Sequence, residues 1–254
     1  MYLYSFDRFF GVDKVCLLAE TTGKKKIKSG DLLIFGNQYF LAIGETLSFS
    51  EQYQHLTTTQ AELVYKEFLS FPALKLLHWM VEHHYTTYKS VIRLFFAANI
   101  EKLLERESKL KHWKIETLKD WNVLKQFSLA QEGQTLIVFP DLWTMFNQCW
   151  NDELLKPCLP AGRCWNDGNI VTLLSSNTEK QKDVHRWEIK KWLKSVIICT
   201  YAEIFQDFHN LKKIIFIDPH KRYYASQQDP RYKVGEVIEE MKNLYGAEVE
   251  IVGV

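Results

Sequence analysis

Five short, mainly apolar runs in the second half of the chain constrain the fold more than any other feature. Segments with amphipathic character separate the runs, and the last of these segments carries apolar residues at helical spacing from Val234 to Tyr245 and stops at Gly246. Strands that are apolar throughout and alternate with amphipathic helices predict an α/β fold in which helices cover a parallel sheet. The runs are residues 135–139, 170–174, 195–199, 214–217 and 249–252.

The first 55 residues have a different pattern, which predicts a small β-rich region. Two apolar runs, 32–35 and 39–43, flank Gly36-Asn37, and this arrangement is typical of a hairpin. Between Gly23 and Gly30 the chain is rich in lysine. This lysine-rich segment is either a solvated turn or a loop that contacts phosphate groups.

Residues 56–131 are predicted to be helical, either as a winged-helix-like region or as a connector. Pro72 is expected to start a helix whose apolar residues between 74 and 81 face the core. A further helix is expected from Tyr88 to Leu104, and the Lys/Glu-rich residues 101–120 are expected to form an exposed helix or connector. The first helix of the region is predicted to be capped by Thr57, Thr58 or Thr59 and to carry Ala61, Val64, Phe68 and Leu69.

Charge and composition limit the function classes. The net charge is +1, so a site for nucleic acid would have to be a local basic patch. The chain has neither a long apolar window nor a signal-peptide pattern, so we expect no membrane partner and a cytoplasmic location. Prolines and glycines between 155 and 168 predict an inserted surface loop.

Histidines and cysteines are the candidate metal ligands. The five cysteines include no Cys-x-x-Cys pair, and structural zinc sites usually contain such pairs, so reduced structural cysteines are expected. His78, His83 and His84 are close in sequence, but a metal site would need a convergent third ligand that the sequence does not identify, and ordinary partly buried histidines are favoured. The cysteines are Cys16, Cys149, Cys158, Cys164 and Cys199.

The segment from residue 213 to 232 carries a resemblance to a known family. Its apolar run ends at Asp218, and its polar tail closes with Pro230, Arg231 and Tyr232. The run resembles the Mg²⁺-binding strand of a helicase motor. The tail resembles the primosomal protein N′ family, the PriA-type replication-restart DNA helicases, in which D-E-E-H follows the strand.

Further stretches resemble the same family in the same order. Residues 133–140 are similar to the strand after the P-loop helix, with Asp141 in place of the family's glutamate. Residues 195–205 are similar to I-V-I-G-T-R-S-A-I-F, in which Thr200 and Phe205 match. The resemblance implies a RecA-like helicase lobe 1 over residues 132–254. More weakly, it implies a shortened 3′-end DNA-binding domain over residues 1–55.

The departures from the family pattern affect its ATPase chemistry. Pro219 stands where the family has its catalytic acid, which leaves Asp218 as the remnant Mg²⁺-binding acid. Glu116-Thr117-Leu118 stands where the P-loop is expected, and no glycine lies between Gly44 and Gly133. Family members also continue into a second motor lobe with zinc-binding cysteines. We therefore expect no intact catalytic or nucleotide-binding residues and no bound ATP, Mg²⁺ or Zn²⁺.

The resemblance implies a DNA-binding protein of replication restart that lacks ATPase and helicase activity. It would bind fork or single-stranded DNA and associate with replication proteins. The alternatives are a protein-interaction scaffold derived from a helicase lobe, half of a split helicase, or an unrelated α/β enzyme. Tyr223 and Tyr224 either contact DNA bases or pack against the end of the sheet. The candidate DNA contacts are Lys24, Lys25, Lys26, Lys28, Lys221, Arg222, Tyr223, Tyr224 and Arg231.

Overall fold

The computed structural model divides into two compact units, Met1–Arg93 and Leu94–Val254. The predicted boundaries after residues 55 and 131 stay predictions. Residues 116–118 and the predicted loop 155–168 lie outside the described part of the chain. The structure describes residues 2–6, 15–21, 26–44, 58–96, 100–108, 130, 132–145, 169–221, 224–226 and 230–253.

A closed five-stranded barrel forms the centre of the first unit, in the order β1-β2-β5-β3-β4. Buried apolar side chains, including Leu3, Leu33 and Phe40, form a core cluster in this unit. The predicted hairpin is present, since β3 and β4 are joined by Gly36-Asn37. The strands are β1 (Tyr2–Ser5), β2 (Val15–Thr21), β3 (Leu32–Phe35), β4 (Gln38–Gly44) and β5 (Thr58–Tyr65).

The helix predicted from residue 57 onward is wrong, because this stretch forms strand β5. Ala61 is buried, whereas Glu62 and Val64 are exposed, and this accessibility follows the pleat of a strand. Phe68 and Leu69 are buried after the strand has ended. The apolar residues before and after the end of β5 therefore have the sequence spacing expected of a helix, although they do not form one.

Helix α1 (Phe71–His83) follows the barrel and begins beside Pro72, as predicted. The hydroxyl of Ser70 caps it by accepting a hydrogen bond from the backbone N–H of Ala73. Its predicted core positions are all buried. They are Leu74, Leu76, Leu77, Met80 and Val81.

The half-buried His78 links α1 to the barrel and to helix α2 (Tyr88–Phe95). Its Nε2 lies 2.7 Å from the carbonyl oxygen of Ile43, so Nε2–H donates to that acceptor. Its Nδ1 lies 2.7 Å from the Tyr88 hydroxyl, which donates to it when the ring is neutral. Burial lowers the pKa of His78, and the Ile43 hydrogen bond and Glu82 only partly oppose this effect.

The second unit contains the parallel sheet predicted from the five apolar runs. Its strands are ordered β10-β9-β6-β8-β7, and every paired neighbour is parallel. A cluster of buried apolar residues, including Ile137, Phe139 and Ile215, forms the core on one side. The strands are β6 (Gln134–Phe139), β7 (Ile170–Leu173), β8 (Val196–Thr200), β9 (Leu211–Ile217) and β10 (Glu248–Val252).

Three α-helices whose bounds are both described belong to this unit. They are α3 (Ile100–Ser108), α4 (Glu179–Lys190) and α5 (Val234–Tyr245). Helix α5 covers the segment predicted as a helix and ends at Gly246, whose φ of 64° is the left-handed conformation that favours glycine. The single helix predicted from Tyr88 to Leu104 is instead found as α2 and α3, with residues 97–99 outside the described ranges. No helix in the described ranges combines the length and apolar character needed to cross a bilayer.

Gln134 holds together the amino-terminal edge of the parallel sheet. It is fully buried at the start of β6, and its Nε2 donates to the carbonyl oxygens of Ile189 at 2.9 Å and Lys194 at 3.0 Å. Its Oε1 accepts from the backbone N–H of Asn210 at 3.1 Å. Through these three hydrogen bonds, one side chain of the central strand β6 is linked to the end of α4 and to the residues that precede β8 and β9.

Candidate functional site

The direction of the chain connections reverses between the neighbouring strands β6 and β9. From β6 the chain proceeds to β7 on one side of the sheet, and from β9 it proceeds to β10 on the other side. In open α/β sheets such a reversal leaves a crevice at the carboxyl ends of the two strands, and ligands bind there. The residues that follow β6 and β9 are therefore the candidate site.

Asp218 follows β9 in an unusual backbone conformation. Its φ is 47°, in the left-handed region that aspartate tolerates better than most side chains. Its N–H donates to the carbonyl oxygen of Val252 at 2.7 Å, and its own carbonyl accepts from the N–H of Lys221 at 3.1 Å. A Cβ atom added to Gly253 would lie 3.2 Å from Asp218 Oδ1, so the carboxylate lies beside this glycine. Pro219, which has no acid group, comes next in the turn.

Tyr224 fills the crevice between the two strand ends. Its hydroxyl lies 3.1 Å from the carbonyl oxygen of Val138 in β6 and also donates to the carbonyl oxygen of Ile217 in β9. Its ring packs edge-on against Phe216, and the residue is 5% exposed. Burial first, and then the neighbouring Cys199, Asp218 and Asp141, raise the pKa of Tyr224. Tyr224 thus packs against the sheet end, which is one of the two alternatives considered from the sequence.

Asp141 follows β6 and organises the turn after it. Its Oδ1 accepts from the Thr144 N–H at 2.6 Å, and its Oδ2 accepts from the Thr144 hydroxyl at 3.0 Å. The capped turn carries Trp143, which is 74% exposed. Sequence reasoning missed Trp143, although its position soon after Pro140, the residue that follows β6, was a usable signal.

The end of β8 supports the site without opening toward solvent. Cys199 is fully buried, and burial, with Glu203 contributing, raises the pKa of its thiol, so it is not a reactive thiolate. Glu203 is also buried, and its carboxylate pairs with Lys182 at 2.7 Å. Tyr232 packs edge-on against Phe205, and its pKa is raised, mainly by burial.

The predicted DNA-contacting residues lie in both units. Lys26 and Lys28 are exposed in the first unit, and Lys221 and Arg231 are exposed in the second. The topology brings Lys221 to the same sheet edge as Trp143, because each follows one of the two neighbouring strands β6 and β9. Lys24, Lys25, Arg222 and Tyr223 lie outside the described residues.

No protein-family model matches this chain, and no curated protein matches it either. The resemblance to PriA-type helicases therefore rests on the sequence stretches given above.

Proposed function

We propose that this chain binds fork or single-stranded DNA at the carboxyl edge of its parallel sheet, as a replication-restart protein without ATPase or helicase activity. The observation that carries the proposal is the placement of Trp143 and Lys221. Both are exposed, and they follow neighbouring strands at the point where the connections reverse. The link to replication restart comes from the PriA-type sequence stretches.

The chemistry of these two side chains suits a single strand. A base stacked on an exposed aromatic ring contributes about 1–3 kcal/mol and needs no particular sequence. An exposed lysine neutralises a phosphate and releases a counterion, which makes binding depend on salt. The acids Asp141 and Asp218 disfavour a phosphate directly over the strand ends. We therefore place the base over Trp143 and the phosphate at Lys221.

The absence of ATP hydrolysis is supported by the residues after β9. A motor ATPase needs a carboxylate next to the Mg²⁺-binding acid to position the attacking water. Pro219 has no such group, and Asp218 is followed at once by this proline. The long glycine-free stretch from 45 to 132 also lacks the glycines with which a P-loop cradles phosphates.

The test is fluorescence anisotropy with fork DNA across a salt series, with and without ATP. Trp143→Ala is expected to weaken binding by about 5- to 150-fold, which corresponds to the loss of one stacked base. Lys221→Gln is expected to reduce the slope of log affinity against log salt by about 0.7–0.9, the value for one phosphate contact. ATP is expected to change nothing.

Lys212→Gln is the matched control, because Lys212 is exposed near the opposite, amino-terminal end of the same strand β9. It is expected to leave both affinity and salt slope unchanged. Equal effects of Lys212→Gln and Lys221→Gln would refute a binding site at the carboxyl edge. No binding of fork DNA at low salt would refute DNA binding itself and favour the protein-interaction alternative.

A further inference from the structure

The outer edge of strand β10 is unusually open for a strand of a parallel sheet. Within the described residues β10 pairs with β9 alone, and its Ile251 is 66% exposed. At the other side of the sheet β7 is also an edge strand, but its Val171 and Leu173 are buried. The two edges therefore differ, and β10 is the one that offers apolar surface.

The main-chain groups of β10 alternate between the two edges of the strand. The carbonyl of Val252 accepts from Asp218, so Val252 points its N–H and C=O toward the β9 side. Because successive residues of a strand point these groups to opposite edges, Ile251 and Val249 point theirs outward. A row of unpaired N–H and C=O groups is a template for pairing with another strand.

The charges along this edge favour pairing with a strand that carries basic side chains. Lys213 of β9 is buried and pairs with Glu250 at 2.7 Å and with Glu248 at 3.8 Å. Two carboxylates facing one ammonium group leave a net negative charge, and Glu248 is 73% exposed. Opposite charges on facing positions of neighbouring strands stabilise pairing, and like charges oppose it.

The geometry points to β10 as the docking edge for an extended segment of a partner protein that alternates basic and apolar residues. Its basic side chains would face Glu248 and Glu250, and its apolar side chains would lie beside Val249 and Ile251. Main-chain hydrogen bonds supply the affinity in this mode of recognition, and alternate side chains supply the specificity. This inference does not rest on DNA binding.

A second copy of this chain fits the edge less well than a basic segment does. In an antiparallel pair centred on the strand, Glu250 would face Glu250 of the other copy. Like charges directly opposite each other destabilise a strand pair. A basic partner replaces this repulsion with attraction.

The test uses a fluorescent seven-residue peptide that alternates lysine and valine. Anisotropy is expected to detect its binding to the wild-type protein. The same peptide with N-methylated valines, which cannot donate these main-chain hydrogen bonds, is expected to bind at least about tenfold more weakly. A glutamate-valine peptide is expected not to bind.

Two substitutions test the edge from the side of the protein. Ile251→Pro removes an outward N–H without removing a hydrogen bond to β9. It is expected to lower the affinity for the lysine-valine peptide at least about tenfold. Glu248→Gln is expected to lower the affinity for the lysine-valine peptide about two- to fivefold and to reduce the salt dependence of that binding. Ile251→Thr keeps the N–H and is the matched control for backbone pairing, with circular dichroism used to confirm the fold.

Three results would overturn the proposal. The first is equal affinity for the N-methylated peptide, which requires only wild-type protein and so does not depend on a folded variant. The second is a folded Ile251→Pro variant that binds as well as Ile251→Thr. The third is a wild-type dimer in sedimentation experiments that Ile251→Pro dissociates, because the edge would then belong to a second copy.

Discussion

Replacing Gln134 with methionine removes three buried hydrogen bonds while keeping the side chain close to its original size. The bonds go to the carbonyl oxygens of Ile189 and Lys194 and to the N–H of Asn210. Each buried hydrogen bond contributes about 1 kcal/mol net. We therefore expect Gln134→Met to lower the free energy of unfolding by about 3 kcal/mol.

Gln206→Met is the matched control for this change. Gln206 is also buried at 2% exposure, but its Nε2 donates only to the carbonyl oxygen of Glu203 at 3.1 Å. Its Oε1 accepts no hydrogen bond from the described part of the chain. The expected cost is about 1 kcal/mol or less, since one bond is lost and one unsatisfied buried acceptor is removed.

Urea unfolding followed by circular dichroism measures both costs, and equal m values confirm that the same surface is exposed on unfolding. In a thermal scan a cost of 3 kcal/mol corresponds to a lower Tm by about 6–12 °C for a unit of this size. If Gln134→Met costs no more than Gln206→Met, the three contacts do not hold the amino edge together, and our description of that edge is refuted.

Two further predictions concern the first unit. Gly30→Ala is expected to lower the free energy of unfolding in urea by at least about 3 kcal/mol, because φ is 91° and the new Cβ would lie 2.2 Å from the Leu69 carbonyl oxygen. Gly36→Ala is the control, with a φ of 59° and open space around it, and is expected to lower it by about 1 kcal/mol. Similar losses for the two variants would contradict the close approach at Gly30. Because the pKa of His78 is lowered in the folded protein, the unfolded state binds a proton at a higher pH than the folded state does. The free energy of unfolding is therefore highest above pH 6.5 and falls as the pH decreases below that value. Unfolding measured from pH 8 to 5 should show a flatter curve for His78→Gln, and parallel curves would argue against this role.

The sheet could be predicted because most of its strands contain a continuous or nearly continuous apolar run, such as residues 214–217 in β9. Strand β5 was missed because a barrel strand exposes one face. Glu62 and Val64 point outward there, and the buried Phe68 and Leu69 after the strand completed an apparent helical spacing. Local periodicity does not show where a strand ends.

The candidate site could be predicted only in part. Asp218 was singled out because it follows an apolar run directly, and Lys221 because it is a basic residue in the polar tail after that run. The burial of Tyr224 depends on the carbonyl groups of β6 and β9, which are distant in sequence and meet only in the folded sheet. The role of Gln134 was not predicted, because a glutamine shows its partners only once the loops around it are placed.

The central place of β6 also bears on how the chain is made. Strand β6 is the first strand of its sheet to be synthesised, yet its neighbours β8 and β9 follow much later in the chain. During synthesis its apolar run has no partner among the described strands until the ribosome has produced β8, and its second neighbour, β9, follows later still. Transiently exposed strands of this kind are prone to aggregate, and long-range parallel pairing is slow to form. The segment that contributes most to the finished sheet is therefore the one that the nascent chain must protect longest.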